Sequence, residues 1–96
     1  TYVLEMAHVI KKYKMHFLLD FHYSDYWADP GQQNKPDAWK NLSFDELKEA
    51  VHKYTYDVLY RLKIMDCVPD MVQIGNEIRS GMLFPDGAVP QYRQRL

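Results

Sequence analysis

Met15-His16-Phe17-Leu18-Leu19-Asp20-Phe21-His22 is the stretch on which the reading of the whole chain turns. Its centre is a continuous apolar run, without the apolar–polar alternation of a strand that has one wet face. Such a run fits a strand covered on both faces, as in a parallel sheet; a buried helix would need more residues. Downstream, Met71-Val72-Gln73-Ile74-Gly75 reads the same way. A long helix is predicted between the two. Ser43 and Glu46 form an S-x-x-E capping box, and Phe44, Leu47, Val51, Tyr54, Val58, Leu62 and Met65 then recur at spacings of three and four, which makes one apolar stripe on a helix. Pro69 is expected to end it. Upstream, residues 2–13 read as a helix with Val3, Ala7 and Ile10 on one face and Met6 beside them, closed by Lys11, Lys12 and Lys14 where cations favour a helix C-terminus.

The order is therefore helix, strand, long loop, helix, strand, loop. This is a βαβ unit with a leading helix, and it predicts an α/β fold with a parallel sheet and a right-handed crossover. Chemistry in such folds gathers at the carboxyl ends of the strands. The unusual polar residues lie there: Asp20, His22, Ser24 and Asp25 after the first strand, Asn76 and Glu77 after the second. The segment from Tyr23 to Leu42, about 20 residues long, exceeds the usual connection. It carries Tyr23, Tyr26, Trp27 and Trp39, more aromatic residues than disordered loops hold, so a functional loop is expected. A third loop is expected from Ile78 to Gln91.

Composition bounds the alternatives. With 47% apolar and 26% charged residues the chain is globular in character. A net charge of −1 gives no electrostatic reason to expect a nucleic-acid or anionic-membrane partner. No apolar run approaches the ~20 residues of a membrane helix. The single cysteine, Cys67, allows no internal disulfide, has no evident activating base and reads as inert. Thr1 at the start and an unfinished element at Gln91–Leu96 lead us to expect residues 1–96 to be an internal piece of something larger.

Glu77 is the first candidate for chemistry. A carboxylic acid behind Gly75 and Asn76 at a strand end sits where desolvation can raise its pKa and hold a proton for a leaving oxygen; a surface glutamate capping the next turn is the plainer alternative. Asp20 and His22 share parity on their strand, so both side chains point to one side. They could bind sugar hydroxyls, or form a hydrogen-bonded pair with a structural role. With Asp25 they also suggest a metal, but the ligand set is incomplete and no metal or other cofactor is expected. Trp27 and Trp39 could stack on sugar rings or clamp the long loop to its scaffold. His8, His16 and His52 have no grouped partners and read as structural or exposed.

Asp20 to Gln33, DFHYSDYWADPGQQ, resembles the signature of glycoside hydrolase family 53, the arabinogalactan endo-β-1,4-galactanases. QIGNEI from Gln73 to Ile78, followed by GMLFPDG from Gly81 to Gly87, is similar to the acid/base region of that family. The resemblance implies a (β/α)8 TIM barrel, of which this chain holds about two βα units with strands three and four. It implies a secreted enzyme, monomeric as the full-length parent, that cleaves a polysaccharide partner, β-1,4-galactan. Glu77 matches the general acid/base and Asn76 the asparagine that hydrogen-bonds the 2-hydroxyl of the sugar. Asp20, His22, Asp25 and Trp27 match the loop lining the substrate cleft. Phe84 stands where many members have tryptophan, which loses an indole N–H at the rim. Retention calls for a nucleophile carboxylate about 5–5.5 Å from the acid; in the family it comes from a late strand, so residues 1–96 alone are expected to be inactive. A non-catalytic β-glycan-binding barrel, or a related clan hydrolase on another β-linked glycan, are the alternatives.

Overall fold

A computed structural model describes residues 2–93. Helix α1 spans Tyr2–Lys12, strand β1 Leu18–Phe21, helix α2 Phe44–Ile64 and strand β2 Met71–Ile74. Single 3-10 turns occupy Asp37–Trp39 and Ile78–Ser80; β3 (Gly81–Met82), β4 (Gly87–Ala88) and the short helix α3 (Pro90–Arg93) follow. β1 and β2 pair in parallel, with Leu18 opposite Met71 and Phe21 opposite Ile74. Their carboxyl ends are thus level, and the two polar clusters leave the sheet on the same edge.

α2 begins as its sequence dictates. The Glu46 backbone N–H donates to Ser43 Oγ at 3.2 Å, and Ser43 N–H donates to Glu46 Oε1 at 2.9 Å. The two bonds satisfy free donors at the helix start, and the Ser43 backbone N–H, then its hydroxyl, hold the Glu46 carboxyl below its usual pKa. The helix ends at Ile64, ahead of the expected stop at Pro69. Asp66 turns left-handed (φ 56°), Cys67 N–H reaches back to the Leu62 carbonyl at 2.8 Å, and Asp66 N–H to the Lys63 carbonyl at 3.0 Å. That paired closure is a Schellman motif. α1 closes in the same way, with Lys14 at φ 57°, Met15 N–H on the Ile10 carbonyl and Lys14 N–H on the Lys11 carbonyl, both at 3.0 Å. Lysine gains nothing locally from the left-handed conformation, which costs a residue with a Cβ roughly 1–2 kcal/mol, partly offset against glycine's extra chain entropy. Lys14→Gly should therefore raise stability in the full-length protein by about 0.5–1 kcal/mol, read as a higher melting temperature. A lower one would mean that the lysine makes a contact its position does not show.

The core lies between the sheet and α2. Phe21, Tyr23, Leu47 and Leu83 are buried together, with Leu19, Val51, Val58 and Val72 packed on them. A second cluster of Ala7, Leu62 and Cys67, with Leu4 and Phe17 against it, fastens α1 to α2. Of the apolar face expected on α1, Ala7 is buried, whereas Val3 and Met6 are over 40% exposed. The strand segments, expected to be covered on both faces, are covered on one. Leu19 and Phe21 face α2, while Leu18 and Met71 stand 47% and 64% exposed on the other side, because two strands cannot close over their own inner face.

The loop expected from Ile78 to Gln91 is more ordered than its glycines and prolines suggest. Gly81 pairs with Ala88 and Met82 with Gly87 in an antiparallel ladder. Two residue pairs are too few for alternation to register in a sequence. Gly81 has φ 100°, and a Cβ there would stand 2.3 Å from the Gly87 carbonyl oxygen, so only glycine fits.

At the amino ends of the strands Asp70 ties the sheet to the chain entering it. Its carboxylate accepts Phe17 N–H at 2.8 Å, faces His16 Nδ1 at 2.9 Å and accepts from Lys11 Nζ at 3.4 Å. The Phe17 amide, then His16 and Lys11, hold the Asp70 carboxyl down at about 2. A depressed folded-state pKa contributes stability above the unfolded value, 3.8, and loses it as pH falls through about 2. Asp70→Asn should accordingly destabilise the full-length protein at pH 7, and the gap to the parent should close between pH 4 and pH 2. A gap independent of pH in denaturant titrations would show that the carboxylate charge is not what holds the strands.

Candidate active site

The carboxyl ends of β1 and β2 present the residues singled out from the sequence. Asp20, the third residue of β1, is opposite Gln73 of β2. Asp20 Oδ2 lies 3.1 Å from His22 Nε2, and Ala28 N–H donates to His22 Nδ1 at 3.1 Å. Nδ1 accepts, so the neutral imidazole carries its proton on Nε2 and donates it to Asp20. Both ring nitrogens are engaged within the protein. Asp20 Oδ1 is buried and has no hydrogen-bond partner among the described residues, an arrangement that is costly unless a donor arrives.

Asn76 is almost buried, 9% exposed. Its Nδ2 donates to the Ala28 carbonyl at 2.8 Å and lies 3.5 Å from Glu77 Oε1; Gln73 Nε2 donates to its Oδ1 at 3.3 Å. A continuous path of bonds thus runs from Asp20 through His22, the Ala28 backbone and Asn76 to the edge of Glu77. Glu77 itself is exposed and left-handed, φ 51° and ψ 51°. The enclosure expected around its carboxyl is not supplied by the described residues, since the strand ends are open above it.

Asp25 is used inside the loop. Its Oδ2 accepts Asp37 N–H at 2.8 Å and fastens the start of the Asp37–Trp39 turn. Asp25 does not join Asp20 and His22, and among the described residues no three His, Cys, Asp or Glu side chains gather as metal ligands. The four loop aromatics divide in two. Tyr23 stacks on Phe21 with ring centroids 5.7 Å apart and meets Thr55 Oγ1 at 2.7 Å through its hydroxyl; burial pushes its pKa up. Trp39 packs against the main core and meets Tyr54 edge-on. These two clamp the loop. Tyr26 and Trp27 are 77% and 74% exposed, and Trp27 stands edge-on to His22 at 4.9 Å. Trp27 is therefore the indole free to meet a ligand. Phe84, expected at the rim, is buried, and its N–H donates to the Gln33 carbonyl at 2.8 Å.

Two residues of the site were not anticipated. Gln33 is 2% exposed, and its Nε2 donates to the Asn76 carbonyl at 2.6 Å and to the Glu77 carbonyl at 3.3 Å. Ser80 Oγ donates to the Pro30 carbonyl. In sequence Gln33 belongs to a polar run, Gln32 to Lys35, which reads as solvated loop; its only signal was its place as the last residue of the Asp20–Gln33 motif.

A parallel βαβ unit with its polar residues assembled at the carboxyl edge is the layout of an α/β fold whose chemistry sits at its strand ends. The whole chain, residues 1–96, matches the model of glycosyl hydrolase family 53, and the chain belongs to that family. It is 58% identical over 84 residues to an uncharacterized protein of Niallia circulans, and 41% identical over 91 residues to arabinogalactan endo-beta-1,4-galactanase A of Emericella nidulans, covering 88% and 95% of this chain. Among solved structures, the Ignisphaera aggregans GH53 catalytic domain superposes with a TM-score of 0.88 at 49% identity over 94% of this chain. One of two fungal beta-1,4-galactanases superposes at 0.87 with 38% identity over 93%. The chain spans about a quarter of the length of each, 23% to 26%. Its fold is that of part of a (β/α)8 barrel, not closed within these residues, and the bare face of the β1–β2 sheet is the face such a barrel turns to its interior.

Proposed function

We propose that the full-length protein is an endo-acting, retaining hydrolase of β-1,4-galactan, with Glu77 as its general acid/base. The supporting observation is the convergence of the Asp20–His22 pair and the Asn76–Glu77 pair on one edge of a two-stranded parallel sheet, in a chain of family 53 with a relative named as an arabinogalactan endo-beta-1,4-galactanase. In this reading Glu77 protonates the leaving glycosidic oxygen and then deprotonates the incoming water. Asn76, fixed by the Ala28 carbonyl and Gln73, offers to the 2-hydroxyl the N–H that here reaches Glu77 Oε1 at 3.5 Å. Trp27 gives a flat apolar face for the C–H side of a galactose ring. The unpartnered oxygen of Asp20 supports reading that strand end as built to receive a donor, and His22 sets its orientation without itself touching sugar.

Two carboxylates are needed for retention, and the reading assigns the nucleophile to a strand outside these residues. The 96-residue piece alone is then inactive, and the parent works as a secreted monomer. The test is Glu77→Gln in the full-length protein, assayed on galactan with mannan and cellulose alongside. Loss of galactan hydrolysis with folding intact supports the assignment; a parent that binds galactan without cleaving it would make the barrel a binding module.

A further inference from the structure

Glu77 stands in a backbone conformation unfavourable to a residue with a side chain, so something must hold it there. The carbonyl of Asn76 belongs to the peptide plane on one side of the Glu77 Cα, and the carbonyl of Glu77 to the plane on the other. Both accept from the same atom, Gln33 Nε2, at 2.6 and 3.3 Å. Tying these two planes to one point restrains the combination of φ and ψ open to Glu77, and with it the direction in which its Cβ leaves the backbone. The amide is oriented unambiguously, because both partners are acceptors and only the nitrogen end of the amide donates. Gln33 is in turn held at its own backbone: its carbonyl accepts Phe84 N–H at 2.8 Å, and two residues on, Lys35 Nζ meets Asp86 Oδ1 at 2.8 Å, largely buried.

We propose that Gln33 is a positioning residue for the acid/base: its buried amide locks the Glu77 backbone and so aims the carboxyl at the scissile oxygen. The proposal rests on the reading of Glu77 given above. It makes the loop after β1 a functional part of the acid centre on β2. A displacement of about 1 Å at a reacting group lowers turnover by up to roughly 100-fold.

The experiment compares Gln33→Met, Gln33→Glu and Glu77→Gln in the full-length protein, on galactan and on an aryl β-galactoside with an activated leaving group, with a melting curve for each. Methionine keeps the length of the side chain and removes the donor. Gln33→Met should lower kcat on galactan by roughly 10–100-fold, leave KM there within about threefold, and cost much less in kcat/KM on the activated substrate, whose departure needs little protonation. Glutamate can donate when protonated and repels both carbonyls when ionised, so the activity of Gln33→Glu relative to the parent should rise as pH falls. Folded Gln33→Met with full activity, or with equal losses in kcat/KM on both substrates, overturns the proposal while leaving Glu77 in place if Glu77→Gln still shows the leaving-group split in kcat/KM. If Gln33→Met does not fold, a flat pH ratio for Gln33→Glu overturns it. Near-normal galactan turnover in Glu77→Gln removes the acid/base reading and the proposal together.

Discussion

Glu77→Gln in the full-length protein should lower kcat on galactan by roughly 10²–10⁴-fold, the contribution of a positioned general acid. Glutamine occupies the same space and keeps the hydrogen bond near Asn76, so the melting temperature should move little; an exposed side chain has few contacts to lose. The effect must depend on the leaving group. A sugar alkoxide is a poor leaving group and needs the proton, whereas an activated phenolate departs without it. On an aryl β-galactoside of that kind the first step should proceed near the parent rate, and the glycosyl-enzyme should then accumulate, because no base deprotonates the incoming water. A pre-steady-state burst followed by slow turnover is the expected record. Added azide, which needs no base, should accelerate the second step. Equal losses in the first step, read as burst rate or kcat/KM on both substrates, would place Glu77 outside the proton transfer to the leaving group.

Leu62→Ala should be the most damaging of the conservative truncations in the scaffold, at about 2–5 kcal/mol. Leu62 is fully buried and joins Ala7 of α1 to Cys67 and to Phe17 and Leu19 at the start of the sheet. Backbone holds the rim of the gap on two sides, since Cys67 is fixed by the closure of α2 and Phe17 by Asp70. A void there cannot collapse readily, which is the condition for a cost at the upper end of that range. Urea unfolding should show the midpoint falling with little change in slope. Leu62→Met, nearly equal in volume, should cost less than about 1.5 kcal/mol. If both substitutions cost the same, volume is not what matters at this position.

Most of the architecture was legible because it rests on local rules. The Ser43–Glu46 box, the stripe on α2 and the paired apolar runs each depend on neighbours within a few residues, and the alignment of the two strand ends followed from them. Helix ends were less legible. Lys14 and Asp66 give no sign in sequence that they adopt positive φ, and the Pro69 stop signal lay past the point where the closure had already occurred. At the site, Asn76, Glu77, Asp20 and His22 were placed correctly at the strand ends, but His22 turned out to be engaged on both nitrogens and Asp25 to brace a turn. Gln33 shows the limit most clearly: its burial is set by carbonyls 43 and 44 positions away, and no local pattern carries a contact at that range.

The Asp70 clamp and the Glu77 loop lie at opposite ends of the same short strands, and their chemistry is unrelated. Under the role proposed for Glu77, survival in acid and speed on substrate are therefore separate traits, each governed by its own handful of side chains. A lineage moving into a more acidic habitat could strengthen or replace the charges around Asp70 without disturbing the Glu77 loop. A laboratory seeking an acid-tolerant variant could begin at that lower edge and leave the upper one alone.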